Sequence, residues 1–137
     1  MIQDNIKVLD EKDVNGWNAF MFACAKGYLD IVQYILKLSP NIINKKSNNK
    51  ETALIIAADN GKANIVQYLL DNGALNQIED KTVNGFSALY LASEYGHIEV
   101  CDILLNYYDE KGREKVYKVA KEKGDKEILK LIQKKSK

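Results

Sequence analysis

The stretch SNNKETALIIAADNGKANIVQYLLDNGALN, residues 47–76, decides the fold. It opens on polar residues, continues into an alanine-rich segment that ends at Gly61, and then carries Ile65, Val66, Tyr68, Leu69 and Leu70 at helical spacing. The same order recurs on both sides. Ala23 to Gly27 leads into Ile31, Val32, Tyr34, Ile35 and Leu36, and Ala92 to Gly96 leads into Val100, Cys101, Ile103, Leu104 and Leu105. A fourth copy runs from Ala120 through Gly124 to Ile128, Leu129, Leu131 and Ile132. The first three glycines lie 34 and 35 residues apart, and the fourth follows after 28. A period of this size means a stacked array in which each unit buries its apolar face only against its neighbours.

Each recurring position has a physical reading. Asn18, Thr52 and Ser87 open the alanine-rich segments and are good helix N-caps, because their side-chain oxygens can accept from an orphan amide. Ala19, Ala53 and Ala88, with Ala23, Ala57 and Ala92 four residues on, keep one helix face thin for close packing. Gly27, Gly61, Gly96 and Gly124 stand where this first helix stops and the chain reverses in a left-handed conformation. Asp30, Asn64, Glu99 and Glu127 then fall in the first turn of a second helix, at its positive end. Gly73-Ala74 and Asn84-Gly85 are turn dipeptides that bracket a hairpin-like finger between units.

Residues 47–76 resemble an ankyrin repeat, D-x-x-G-x-T-P-L-H-x-A-A-x-x-G-H-x-x-[IV]-V-x-x-L-L-x-x-G-A, and the units that open at Asp13-Val14-Asn15-Gly16 and Thr82-Val83-Asn84-Gly85 fit the same frame. The resemblance implies an all-α solenoid of antiparallel helix pairs joined by fingers. One domain, 1–137, then divides into an N-terminal cap at 1–12, repeats at 13–46, 47–81 and 82–110, and a shortened capping repeat at 111–137. Departures from the pattern are specific. The family's proline is Ala19, Ala53 and Ala88, and its histidine is Met21, Ile55 and Tyr90, which removes the usual threonine to histidine hydrogen bonds. The first finger reads Ser39-Pro40-Asn41 in place of Gly-Ala-Asp, and the finger after Leu105 is almost entirely missing. In the cap, Lys118, Lys121, Glu122, Lys126 and Lys130 interleave with Val116, Val119, Ile128, Leu131 and Ile132, as an end unit with one wet face requires. Ile2, Ile6 and Leu9 have the spacing of a short helix that would cover Phe20, Met21 and Phe22.

Composition narrows the function classes. At 46% hydrophobic and 28% charged residues the chain sits among ordinary globular proteins. The N-terminus lacks the apolar core of a signal peptide, and the two cysteines do not form a bridge framework, so an intracellular, cytoplasmic protein is expected. No uncharged apolar run is long enough to span a membrane. Residues 1–110 carry 9 basic and 15 acidic side chains, a net of −6, whereas residues 111–137 carry 11 and 4, a net of +7.

No catalytic constellation is present. The single histidine, His97, falls at the structural Gly-His position of the resemblance, and no zinc, dinucleotide or P-loop spacing occurs, so neither catalysis nor a metal or other cofactor is expected. Cys24 lies in an alanine position and Cys101 in an apolar stripe, which places both as buried free thiols. The resemblance instead implies a non-enzymatic, monomeric module that takes a protein partner on its fingers and on the exposed side of the first helix of each pair. Carried onto this sequence, that face is Trp17, Lys26, Asn49, Glu51, Asp59, Asn60, Asn84, Phe86, Glu94 and Tyr95. Its aromatics are the residue types enriched among binding anchors, and its acids favour a partner segment with apolar and basic residues. Trp17 and Phe86 have a second reading as packing for the adjacent finger. Two other functions stay open. One is a targeting or regulatory domain of a longer, enzyme-containing chain; the other, disfavoured for want of aromatic readers beside the lysines, is a basic C-terminal site for nucleic acid or acidic lipid.

Overall fold

The computed structural model describes residues 8–135; Ile2 and Ile6, and most of the expected N-terminal cap helix, lie outside them. Among the described residues the fold is helical. The pairs are α1 (Ala19–Lys26) with α2 (Leu29–Leu38), α3 (Ala53–Asp59) with α4 (Ala63–Asp71), α5 (Ala88–Glu94) with α6 (Ile98–Leu105), and α7 (Glu110–Lys123) with α8 (Lys126–Lys135). The first helices stack as one layer, α1 on α3 on α5, and the second helices as another, α2 on α4 on α6 on α8.

Local chemistry starts and stops each pair. Asn18 Oδ1 accepts from the Met21 amide at 2.9 Å, Thr52 Oγ1 from Ile55 at 3.1 Å and Ser87 Oγ from Tyr90 at 3.1 Å. The three caps expected from the sequence therefore form, at about 1 kcal/mol each. Gly27 and Gly61 stop the first helices at φ +78° and +70°, and close packing adds a second reason for Gly61. A side chain there would come within 2.6 Å of the His97 ring of the next pair.

The core is a ladder of identical positions. Ile65, Val100 and Ile128 each stand four residues beyond their glycine and are all buried, as are Ala57 and Ala92, so successive pairs close on one another with small side chains in one layer and branched ones in the other. Burial raises both Cys24 and Cys101 to a thiol pKa of about 12, with the Asp125 charge adding to the effect at Cys101. Both are free cysteines and buried.

Two expectations need correction. Ala19 was placed on the thin packing face, but it is exposed, because no helix pair stands before α1 among the described residues. Val119, one of the apolar residues expected to alternate with the polar ones of a one-wet-faced end unit, is 50% exposed, and Ala120 takes the core position instead. The last pair sits on α6 through α8, whereas α7 reaches α5 through the Lys123 side chain. Ser93 donates to Asp125 at 2.8 Å, and Lys123 lies 4.2 Å above the Tyr90 ring and 3.8 Å from Glu94. Lys135 clasps the last helix to α6 through Asp102 at 2.7 Å and Asn106 at 2.6 Å.

The departure at Ser39-Pro40-Asn41 has a simple outcome. Pro40–Asn44 form a 3-10 turn that buries Ile42 and Ile43, and Leu75–Gln77 form the same turn in the next unit. Gln77 Nε2 donates to the Ile43 carbonyl at 2.9 Å, which ties the two finger bases together.

Candidate interaction face

Three finger tips share one backbone pattern. The amide of the fourth residue donates to the carbonyl of the first, as in Gly16 to Asp13, Lys50 to Ser47 and Gly85 to Thr82, and the first amide returns to the carbonyl of Trp17, Glu51 or Phe86 at 2.9–3.0 Å. Glycine serves this left-handed corner at Gly16 and Gly85; in the middle finger Lys50 holds φ +64°, the only non-glycine residue with positive φ among those described. Neighbouring tips are joined as well. The Asn48 amide donates to the Asn15 carbonyl at 3.0 Å, and the Val83 amide to the Asn49 carbonyl at 3.1 Å. The tips and the first helices thus present one continuous, braced surface.

Side chains on this surface fall into three groups along the stack. At the N-terminal end Trp17 is half-buried, meets Phe22 edge-on at a centroid distance of 5.0 Å, and donates its Nε1 hydrogen to Glu51 Oε1 at 3.0 Å. Glu51 also accepts from the Ser47 hydroxyl at 2.9 Å. Trp17 and Glu51, expected as separate binding residues, are therefore partners of each other, and the indole braces the adjacent finger. In the middle stand Asp59, half-buried, and the exposed Asn60, whose side-chain amide donates to the Ile56 carbonyl at 2.8 Å. Burial pushes the Asp59 carboxyl above its ordinary pKa, the Glu51 charge adds to that, and His97 works against it. At the C-terminal end Phe86 is stacked flat on Tyr90 at 4.8 Å, and Tyr95 is 63% exposed.

The remaining expected residues, Lys26, Asn49, Asn84 and Glu94, are exposed on the same side, at helix ends or finger tips. Phe22 and Tyr90 belong to the face but were missed. Position 22 corresponds to Ile56, which is buried, so only its place in the first pair leaves Phe22 open. Tyr90 stands where the family has histidine, and that departure was the available signal.

His97 does structural work. Its Nε2 donates to the Asp59 carbonyl at 2.9 Å, and the ring fills the space above Gly61. Among the described residues no three His, Cys, Asp or Glu side chains gather as a metal site would require, and no helix is long and apolar enough to cross a membrane.

The chain matches the family model for ankyrin repeats in three copies over residues 37–118, and the single-repeat model over residues 15–48. It is 30% identical over 118 residues to the probable 26S proteasome regulatory subunit p28 of Saccharomyces cerevisiae, an alignment covering 80% of this chain and 50% of that protein. It is 33% identical to the ankyrin repeat and KH domain-containing protein CBG24701 of Caenorhabditis briggsae, over 71% of this chain and 4% of that one. To the human NAD-capped RNA hydrolase NUDT12 it is 35% identical, over 62% of this chain and 18% of the hydrolase. The chain thus spans about half the length of the yeast relative and far less of the other two. These matches and the repeated helix pairs place the chain in the ankyrin-repeat family.

Proposed function

We propose that this protein is a non-catalytic module that binds a protein partner on the face formed by its fingers and first helices. Residues 13–46, 47–81 and 82–110 act as the binding repeats and residues 111–137 as the cap. The observation that carries the reading is Tyr95, a large aromatic side chain exposed at the end of α5, the helix that carries Tyr90 of the Phe86–Tyr90 stack near its start. Rigid aromatics lose little side-chain entropy on binding and are enriched among anchors. Trp17 and Glu51 serve chiefly to hold the fingers in register. Glu94, Asp59 and Glu51 make the face acidic, so a partner segment with apolar and basic residues suits it, and charge acts mainly on the rate of association.

The basic C-terminal end supports the phosphate reading poorly. Lys135 is engaged by Asp102 and Asn106, Lys123 by Glu94 and Tyr90, and Arg113, Lys130 and Lys134 line a shallow hollow together with Glu110 and Glu114, which offset two of its three positive charges. An intracellular location belongs to the same proposal, as does a monomeric state.

Capture of the partner from an extract of the source cell by the immobilised protein tests the face. Tyr95→Ala and Phe86→Ala should each weaken binding of the captured partner by about 1–3 kcal/mol. Lys130→Ala and Lys134→Ala should leave it unchanged. The reverse pattern would move the site to the basic end.

A further inference from the structure

The finger tips form a ladder with an open last rung. At the first tip, the second finger supplies one asparagine that makes a two-point contact: the Asn48 amide donates to the Asn15 carbonyl at 3.0 Å, and Asn48 Nδ2 donates to the Val14 carbonyl at 3.1 Å. That asparagine also lies against the corner glycine, where a Cβ at Gly16 would meet Asn48 Oδ1 at 2.6 Å. At the second tip the Asn49 carbonyl is taken by the Val83 amide. The third tip repeats the same geometry with Val83, Asn84 and Gly85 in the places of Val14, Asn15 and Gly16, but no further finger follows it among the described residues. The chain after Leu105 omits the fourth finger and enters α7 at Glu110. A Cβ at Gly85 would meet no atom within 4 Å, and Val83 is 58% exposed.

We infer that the outer edge of the third finger tip is a docking edge for a turn or extended segment of a partner protein that carries an asparagine. The asparagine would do at Val83 and Asn84 what Asn48 does at Val14 and Asn15, its backbone amide donating to the Asn84 carbonyl and its side-chain amide to the Val83 carbonyl. The edge continues a backbone bond the molecule already builds twice, together with the side-chain bond that Asn48 adds to it at the first rung. The template also fixes the residue three places on. In the second finger it is Glu51, which accepts the Trp17 Nε1 hydrogen. Phe86 stands in the place of Trp17 and has no hydrogen to give, so the partner residue is apolar and rests on Phe86, beside the Tyr90 ring that Lys123 already covers. A second copy of this chain is a poor occupant, because its own Asn48 is already engaged within its ladder. The inference rests on the proposed binding face and adds backbone pairing to it, a recognition mode in which main-chain hydrogen bonds give affinity and neighbouring side-chain sites give selectivity.

The probe is a peptide of the second finger, residues 46–52, with its glutamate replaced by leucine (E51L), titrated into the 15N-labelled protein of residues 1–137. Amide shifts are expected at Val83, Asn84, Gly85, Phe86 and Tyr90. Methylation of the peptide's Asn48 amide nitrogen should weaken binding about tenfold, and Asn48→Ala in the peptide should do the same, as for loss of a well-made hydrogen bond. The unaltered finger peptide, with glutamate over Phe86, should bind more weakly than E51L. No shifts at millimolar peptide, equal binding of the N-methylated form, or shifts centred on Tyr95 or α8 would each overturn the inference. Dimerisation of the protein with protection of Asn84 would overturn it too, by naming a second copy as the occupant. A partner lost on Tyr95→Ala but indifferent to competition by the peptide leaves the binding face standing and removes only the docking edge.

Discussion

Ile31 and Ile65 occupy the same place in consecutive helix pairs, four residues beyond Gly27 and Gly61, yet the first is 47% exposed and the second fully buried. Residue type, helix and register are identical. What differs is the neighbour: α3 and α4 have a pair before them in the described structure, and α1 and α2 do not. Burial in a stacked array is therefore a property of position in the stack more than of the local sequence. The same comparison separates the two ends. The last pair buries Ile128 and Ile132 inward and turns lysines and glutamates outward, while the first pair leaves Ala19, Phe22 and Ile31 open.

The largest effect should come from removing the covering pair altogether. Truncation before residue 111 takes α7 and α8 off α6 and opens Val100 and Leu104 to water. The truncated protein should melt far earlier or lose its cooperative transition in a thermal scan; an unchanged midpoint would deny that the last pair is a cap. Next in size is the isoleucine comparison itself. Ile65→Ala should cost about 2–5 kcal/mol in chemical denaturation, the range for a large-to-small change in a packed core. Ile31→Ala should cost less than about 1 kcal/mol, since half-exposed surface has less to lose. Equal costs would show that something covers Ile31 in solution.

Much of this was legible in the residues and some was not. Caps, glycine stops and helix stripes depend on spacing within one unit, so Asn18, Thr52, Ser87 and Gly27 declared themselves. Val119 and Ala19 misled because their exposure depends on how closely another unit approaches. On the candidate face, Tyr95 followed from the family resemblance, which carries it onto the exposed side of the first helix, but the Trp17 to Glu51 bond joins residues 34 positions apart and carries no local signal. Lys50 carries no local signal of its left-handed corner, which only its alignment with Gly16 and Gly85 marks.

That corner supplies a smaller test of the same-position rule. Lys50→Gly should stabilise the protein by about 0.5–1 kcal/mol, the relief of a left-handed non-glycine residue less the extra freedom of glycine in the unfolded chain. A loss of stability would mean that the lysine side chain holds the finger. The smallest effect belongs to Asp59, which stands where the neighbouring units have Ala25 and Glu94. Its folded pKa is raised, so the folded state holds its proton more tightly, and its charge opposes folding above that pKa. Asp59→Asn should therefore be slightly more stable than the parent at neutral pH, with solvent screening at this half-exposed site keeping the gain small. The gain should shrink as pH falls through the raised carboxylate value, where the native aspartate is already neutral. A gain that grows at low pH would reverse the sign.

The binding face itself is tested most directly by two tyrosines of equal exposure on different layers. Tyr95 ends a first helix at 63% exposed, and Tyr34 lies on a second helix at 62%. A photoreactive phenylalanine analogue placed at either position, irradiated in extract of the source cell, should capture a protein at 95 and leave only background at 34. Equal capture at both positions, or capture at 34 alone, would contradict the assignment of the finger and first-helix face as the site of partner binding.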